Sequence, residues 1–133
     1  MQKNENKQKG KIGEDLAAEI YCKKGFKILA KNFFNKKGKI FGEIDFVAAK
    51  EKHLHFVEIK TRTSDFFGSG AEAFTPQKRM KMVKAAKYFL VGFRLSEKNI
   101  QIHFDLVEIY LDRFDKRPGK IRMYLDVIDD IPS

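Results

Sequence analysis

Asp45, Glu58 and Lys60 are the residues whose types and spacing suit them to act together on a substrate. Asp45 lies in Gly42-Glu43-Ile44-Asp45-Phe46-Val47. Glu58 and Lys60 lie in Phe56-Val57-Glu58-Ile59-Lys60-Thr61-Arg62. Both stretches are rich in apolar, β-branched and aromatic residues and read as strands, with the polar Lys50-Glu51-Lys52-His53 as the turn between them. If Glu51 and Lys52 form a two-residue hairpin loop, Lys50 pairs with His53. The register then sets Ala49 against Leu54, Val47 against Phe56, Asp45 against Glu58 and Glu43 against Lys60. Side chains alternate along a strand, so Asp45, Glu58 and Lys60 share one side of the sheet. Ile44, Phe46, Val57 and Ile59 take the other, as a core face. A slip of one residue would send Asp45 to the wrong side.

Two carboxylates opposed on paired strands repel each other, and among Val47, Leu54 and Phe56 they are costly to desolvate. A divalent cation between them removes both penalties, because hard cations take carboxylate oxygens. Lys60 adds an ammonium beside the same spot. Two metal-binding acids and a nearby cation are the set a metal-dependent phosphodiesterase needs.

These residues resemble the PD-(D/E)xK signature of restriction-endonuclease-like nucleases, with Ile44 where that pattern carries proline. A wider set of motifs is similar, in order, to the small bacterial YraN-like proteins: Gly13-Glu14 with Ala17-Ala18, Gly42-Glu43-Ile44-Asp45, Phe56 to Arg62, Thr75-Pro76-Gln77-Lys78, and Phe104-Asp105-Leu106-Val107. Those proteins resemble archaeal Holliday-junction resolvases, and the likeness covers roughly residues 10–109. The resemblance implies an α/β, restriction-endonuclease-like fold and a Mg²⁺- or Mn²⁺-dependent endonuclease acting on DNA, including branched DNA. Asp45, Glu58 and the Ile59 carbonyl would hold the metal. Lys60 would act on the attacking water, and Glu14 would reach the metal through water. Gln77 and Lys78 would stand near the substrate phosphate.

The composition fits this expectation. At 133 residues the chain is one domain with room for a core, read as a tail over residues 1–10 and a nuclease-like domain over 11–133. Net charge is +9, with basic segments before Ile40 and between Thr61 and Asn99 bracketing an acidic centre, a distribution suited to gripping a polyanion around a cation. No apolar run is long enough to span a membrane, the N-terminal residues lack the apolar segment of a secretory signal, and Cys22 is the sole cysteine. A cytoplasmic protein without membrane contact is the expectation. A two-fold branched substrate would suit a homodimer.

The elements that must position the site read as α-β-β-β-α-β-β, one mixed central sheet with flanking helices. Ile12, Leu16, Ile20, Ala17 and Tyr21 make one apolar face of a helix from Lys11 that Gly25 stops. Phe26 to Phe34 reads as the first strand, Asn35 to Gly38 as a turn, and a second strand starts near Lys39. Thr75-Pro76 caps a helix running to about Val91. Met82, Val83, Ala86, Phe89 and Leu90 form its buried face, and Lys81, Lys84 and Lys87 face solvent or nucleic acid. Ile100 to Leu111 alternates as a half-exposed strand, with Asp105 in a structural role, and Ile121 to Ile128 as an edge strand. Arg62, Gln77, Lys78 and Lys81 are the candidate nucleic-acid contacts.

His53 and His55 have a spacing that suits zinc, but no third ligand is evident, and a surface position is the expectation. Phe66 and Phe67 read as core plugs more readily than as base-stacking residues. Two further readings compete with the nuclease. One is a nucleic-acid-binding module that cuts nothing. The other is a scaffold working through Phe66-Phe67 and the last strand.

Overall fold

The computed structural model describes residues 2–34, 43–63, 75–92 and 99–128. The order is α1 (Gln2–Lys23), β1 (Lys27–Phe34), β2 (Glu43–Lys50), β3 (His53–Thr63), α2 (Pro76–Gly92), β4 (Gln101–Leu111) and β5 (Pro118–Tyr124), the α-β-β-β-α-β-β order expected. The strands form one five-stranded sheet in the order β1-β2-β3-β4-β5. β3 and β4 are parallel, joined across α2, and the other neighbours are antiparallel, so the sheet is mixed.

α1 starts at Gln2 rather than at Lys11, so helix extends back through the stretch read as a tail. Apolar periodicity marks where a helix packs. Gln, Lys and Glu propagate one without it. Its end is a Schellman motif: Phe26 N–H donates to the Tyr21 carbonyl at 3.0 Å, Gly25 N–H donates to the Cys22 carbonyl at 3.0 Å, and Gly25 sits at φ 95°. Ala17 and Tyr21 pack on one face of the sheet with Phe46, Ala48, Val57, Val107, Ile109 and Leu111. Gly13 lets α1 come down on β3, since a Cβ there would collide with the Thr61 hydroxyl. α2 covers the other face, laying Met82, Val83, Ala85, Ala86, Phe89 and Leu90 against Ile44, Val47, Leu54, Phe56 and Phe104.

The hairpin register is as expected through Lys50↔His53, Ala49↔Leu54 and Val47↔Phe56, with Glu51 in the turn at φ 55°. The ladder ends at Phe46↔Val57, so Asp45↔Glu58 and Glu43↔Lys60 are not formed as ladder pairs. Ile44 packs on the α2 side while Phe46 packs on the α1 side, so strict alternation breaks at Asp45.

β4 departs from the half-exposed strand expected. It is buried on both faces from Phe104 to Leu111, because it runs parallel beside β3 under α1 and α2. β5 begins at Pro118 rather than Ile121 and ends at Tyr124 rather than Ile128. Among the described residues, no helix is long and apolar enough to cross a membrane. The turn at Asn35–Gly38, the strand start near Lys39, and Phe66 and Phe67 lie outside the described residues.

Candidate active site

Asp45 and Glu58 meet where β2 and β3 part. The Asp45 carboxylate fills the gap and accepts the Ile59 N–H at 2.6 Å, doing for that amide what a paired strand would otherwise do. Glu58, only 4 % exposed, presents its carboxyl to the same place. Burial, and then the adjoining Glu58 carboxylate, push the Asp45 carboxyl up to about 7, against the opposing pull of the Ile59 amide and Lys78. Two acids that share a partly dry site cannot both hold full charge cheaply.

One cation already reaches them. Lys78 Nζ on α2 lies 2.6 Å from Glu58 Oε1. Its position follows from the helix start: Thr75 Oγ1 accepts the Lys78 N–H at 3.1 Å, which places Lys78 at the third helical position, turned towards the sheet. Glu58 Oε2 stays buried with no hydrogen-bond partner among the described residues. Two adjoining carboxyls share a proton and one lysine, and a hard dication, which takes carboxylate oxygens, could replace them.

The remaining expected residues divide. Lys60 is half-buried on β3 and stands in register with Glu108 of β4. Arg62 Nε bonds Glu108 Oε2 at 3.2 Å. Gln77 and Lys81 are exposed on α2. Glu14 lines a groove on the α1 side with Lys31 and Asn32 of β1, the strand beside β2. Among the described residues, no three His, Cys, Asp or Glu side chains converge as a metal-binding group, so two acids come together and not three.

Three features escape a reading of the sequence. The Lys78–Glu58 ion pair is one. Glu108, wholly buried on β4, is another. The third is at the opposite end of β3, where His53 and His55 are half-buried rather than superficial. The parallel register places His103 beside His55, the two rings stacked with centroids 4.2 Å apart. His53 Nδ1 contacts His103 Nε2 at 2.9 Å, and His103 Nδ1 contacts Asp126 Oδ1 at 2.6 Å. Asp105 is fully buried and takes His55 Nδ1 at 2.7 Å, the Tyr21 hydroxyl at 2.6 Å and the Asp126 N–H at 3.1 Å. Those bonds outweigh the cost of burial and hold the Asp105 carboxyl below its usual range, while burial beside Asp105 pushes the Tyr21 phenol up, so it donates. The structural role expected of Asp105 is thus to tie α1, β3 and the segment after β5 together. The only signal in the sequence was the chain's small number of histidines, two of them two residues apart.

The profile of the uncharacterised protein family UPF0102 matches residues 13–109, most of the chain and nearly the span of the motif resemblance. A UPF0102 protein of Caldanaerobacter subterraneus subsp. tengcongensis is 44 % identical over 112 residues, covering 84 % of this chain and 87 % of the relative. Another from Caldicellulosiruptor bescii is 40 % identical over 106 residues, 80 % of this chain and 85 % of that one. A third from Clostridioides difficile is 40 % identical over 106 residues, 80 % and 88 % of the two chains.

Proposed function

We propose that this chain, which belongs to the uncharacterised protein family UPF0102, is a divalent-metal-dependent endonuclease that hydrolyses phosphodiester bonds in DNA, with branched DNA among its substrates. The observation that carries the reading is the meeting of Asp45 and Glu58. One carboxyl is pushed up to about 7, and the other keeps a buried oxygen without a hydrogen-bond partner among the described residues. A structural pair with no ligand to hold gains nothing from this arrangement.

Asp45, Glu58 and the Ile59 carbonyl would hold Mg²⁺ or Mn²⁺. Such an ion, when bound, acts as a Lewis acid on the phosphate and makes a bound water acidic enough to attack. The chain's own residues do the rest. Asp45 is pinned by the Ile59 amide and so is presented in one orientation. Lys60 orients the attacking water and meets the negative charge that develops on the phosphate. Lys78 neutralises Glu58 and would be available to a substrate phosphate if a cation took its place. Glu14, on α1, would reach the metal only through water.

Cleavage of labelled linear, forked and four-way DNA with Mg²⁺ or Mn²⁺ tests the proposal. The expected loss in Asp45→Asn or Lys60→Ala is about 10²-fold or more. Unchanged cleavage in either variant would show the mechanism to be wrong. One observation favours a second reading, a nucleic-acid-binding module that cuts nothing: Glu58 already has a lysine partner at 2.6 Å. That reading predicts salt-sensitive DNA binding that ignores divalent metal.

A further inference from the structure

Glu108 is 0 % exposed, and its Oε1 has no hydrogen-bond partner among the described residues. It lies on the same sheet face as Glu58, because β3 and β4 pair Glu58 with Leu106 and Lys60 with Glu108. On its other side Glu108 pairs with Arg122 of β5. The row across three strands is therefore Lys60–Glu108–Arg122, a buried acid between two cations. Arg62 adds a third cation, its Nε 3.2 Å from Glu108 Oε2. The Tyr110 hydroxyl donates to the same oxygen at 3.4 Å, and the Arg122 guanidinium stands 5.9 Å from the Tyr110 ring centroid. Arg122 also bonds the Tyr124 side chain.

A buried carboxylate is costly unless it is paired and hydrogen-bonded, and Arg62 and Tyr110 both serve the Oε2 oxygen of Glu108. What surrounds Glu108 is an overall basic shelf starting at Lys60, two residues from Glu58, and running laterally to the outer strand β5. Lys60 and Arg62 on β3 and Arg122 on β5 stand two strand spacings apart, roughly 9.6 Å, so they would meet separate phosphates of a strand lying across the sheet.

We propose that Glu108 is a positioning residue. It holds Arg62 directly and sits in register between Lys60 and Arg122, and the three cations form a shelf along which the backbone of a DNA strand runs from β5 towards the Asp45–Glu58 pair. The inference rests on DNA being the substrate, as proposed above, and adds the path and direction of the strand. An electrostatic account without positioning makes the opposite prediction. Replacing Glu108 by Gln deletes a negative charge beside the phosphates, and by charge alone it should tighten binding. Positioning predicts weaker binding although the protein becomes more basic.

The experiment is fluorescence anisotropy of labelled duplex and single-stranded DNA in EDTA, across a salt series, so that cleavage plays no part. Glu108→Gln is expected to bind about tenfold more weakly than the unaltered chain. Arg122→Ala is expected to weaken binding and to flatten the slope of log K against log salt by about 1. Arg122→Lys should restore the slope but only part of the affinity, since a point charge lacks the guanidinium fork. Circular dichroism and the thermal midpoint confirm folding of each variant. If Glu108→Gln fails to fold, the Arg122 pair decides. Binding of Glu108→Gln equal to or tighter than the unaltered chain overturns the proposal, as does an unchanged salt slope in Arg122→Ala. Polyglutamate that displaces DNA at equal charge concentration overturns it too, by assigning the shelf to an acidic peptide. If cleavage occurs with metal and these variants bind normally, the shelf is wrong and the nuclease stands. If the variants bind as expected and no metal supports cleavage, the nuclease is wrong and the shelf stands.

Discussion

The two ends of β3 handle buried charge in opposite ways. At the His53 end, Asp105 is fully buried and has three donors, from Tyr21, His55 and the Asp126 backbone. With His103 donating to Asp126 through Nδ1, its Nε2 can accept from His53 Nδ1, so the ring contacts are mutually compatible. At the Glu58 end, Asp45 is pushed up to about 7, and Glu58 Oε2 and Glu108 Oε1 lack partners among the described residues. A buried polar network that closes rigidifies the fold, and one left open reserves its valence for a ligand. On the proposed reading, the difference puts function at one end of the strand and architecture at the other.

The sharpest way to break this comparison is to make the same substitution at both ends. Asp105→Asn removes the charge that Tyr21 and His55 are built around, and an amide cannot accept equally from all three donors. The expected cost is about 3–5 kcal/mol in urea unfolding. At neutral pH Asp45→Asn should do the reverse. Its carboxyl is raised from an ordinary value near 4 to about 7 in the folded protein. Ionisation therefore opposes folding, with a penalty absent below about pH 4, growing between pH 4 and 7, and constant above. The amide oxygen can still accept the Ile59 N–H. Asp45→Asn should therefore stabilise by roughly 2 kcal/mol at pH 8 and by little at pH 5. Asp105 has the opposite sign: its carboxyl is lowered, so its contribution is complete above the ordinary carboxylate range and fades as pH falls below it. If Asp45→Asn destabilises at pH 8 as Asp105→Asn does, the two ends are alike and the functional assignment loses its basis.

The same contrast explains what could be read from the sequence. The β2–β3 hairpin was legible because a two-residue turn fixes the register, and Lys50↔His53 carries it to Val47↔Phe56. The helix cap at Thr75 and the buried face of α2 were legible because both are local signals. The last step of the hairpin was not, because the strands part at Asp45 and its carboxylate replaces a ladder bond. Nothing local announces that departure. The parallel β3–β4 pairing was also out of reach: α2 separates the strands, and no turn sets their register. That register places His103 by His55, Glu108 by Lys60 and Arg62 by Tyr110. The histidine network and Glu108 are its products, which is why His53 and His55 read as surface residues and Arg62 as a simple phosphate contact.

A smaller effect sharpens the comparison further by asking whether the open end takes a cation. Lys78 sits 2.6 Å from Glu58 Oε1 and is the resident counter-charge, with 26 % of its side chain exposed. Lys78→Met keeps the stem packed on α2 and removes the ammonium. Without metal, Glu58 loses its ion pair, and the chain should lose about 1–2 kcal/mol. With Mg²⁺ or Mn²⁺ present the competitor for Glu58 is gone, so the cation should bind several-fold tighter by calorimetry and restore roughly 1 kcal/mol of stability. Metal affinity in the unaltered chain should rise with pH through about 7, as Asp45 gives up its proton, and this dependence should vanish in Asp45→Asn. No such dependence is expected at the histidine end, so His53→Gln should leave the magnesium titration unchanged. Should Lys78→Met bind Mg²⁺ no better than the unaltered chain, the lysine is a permanent partner rather than a placeholder. The acid pair would then be as closed as the histidine network, and the binding-module reading would be favoured.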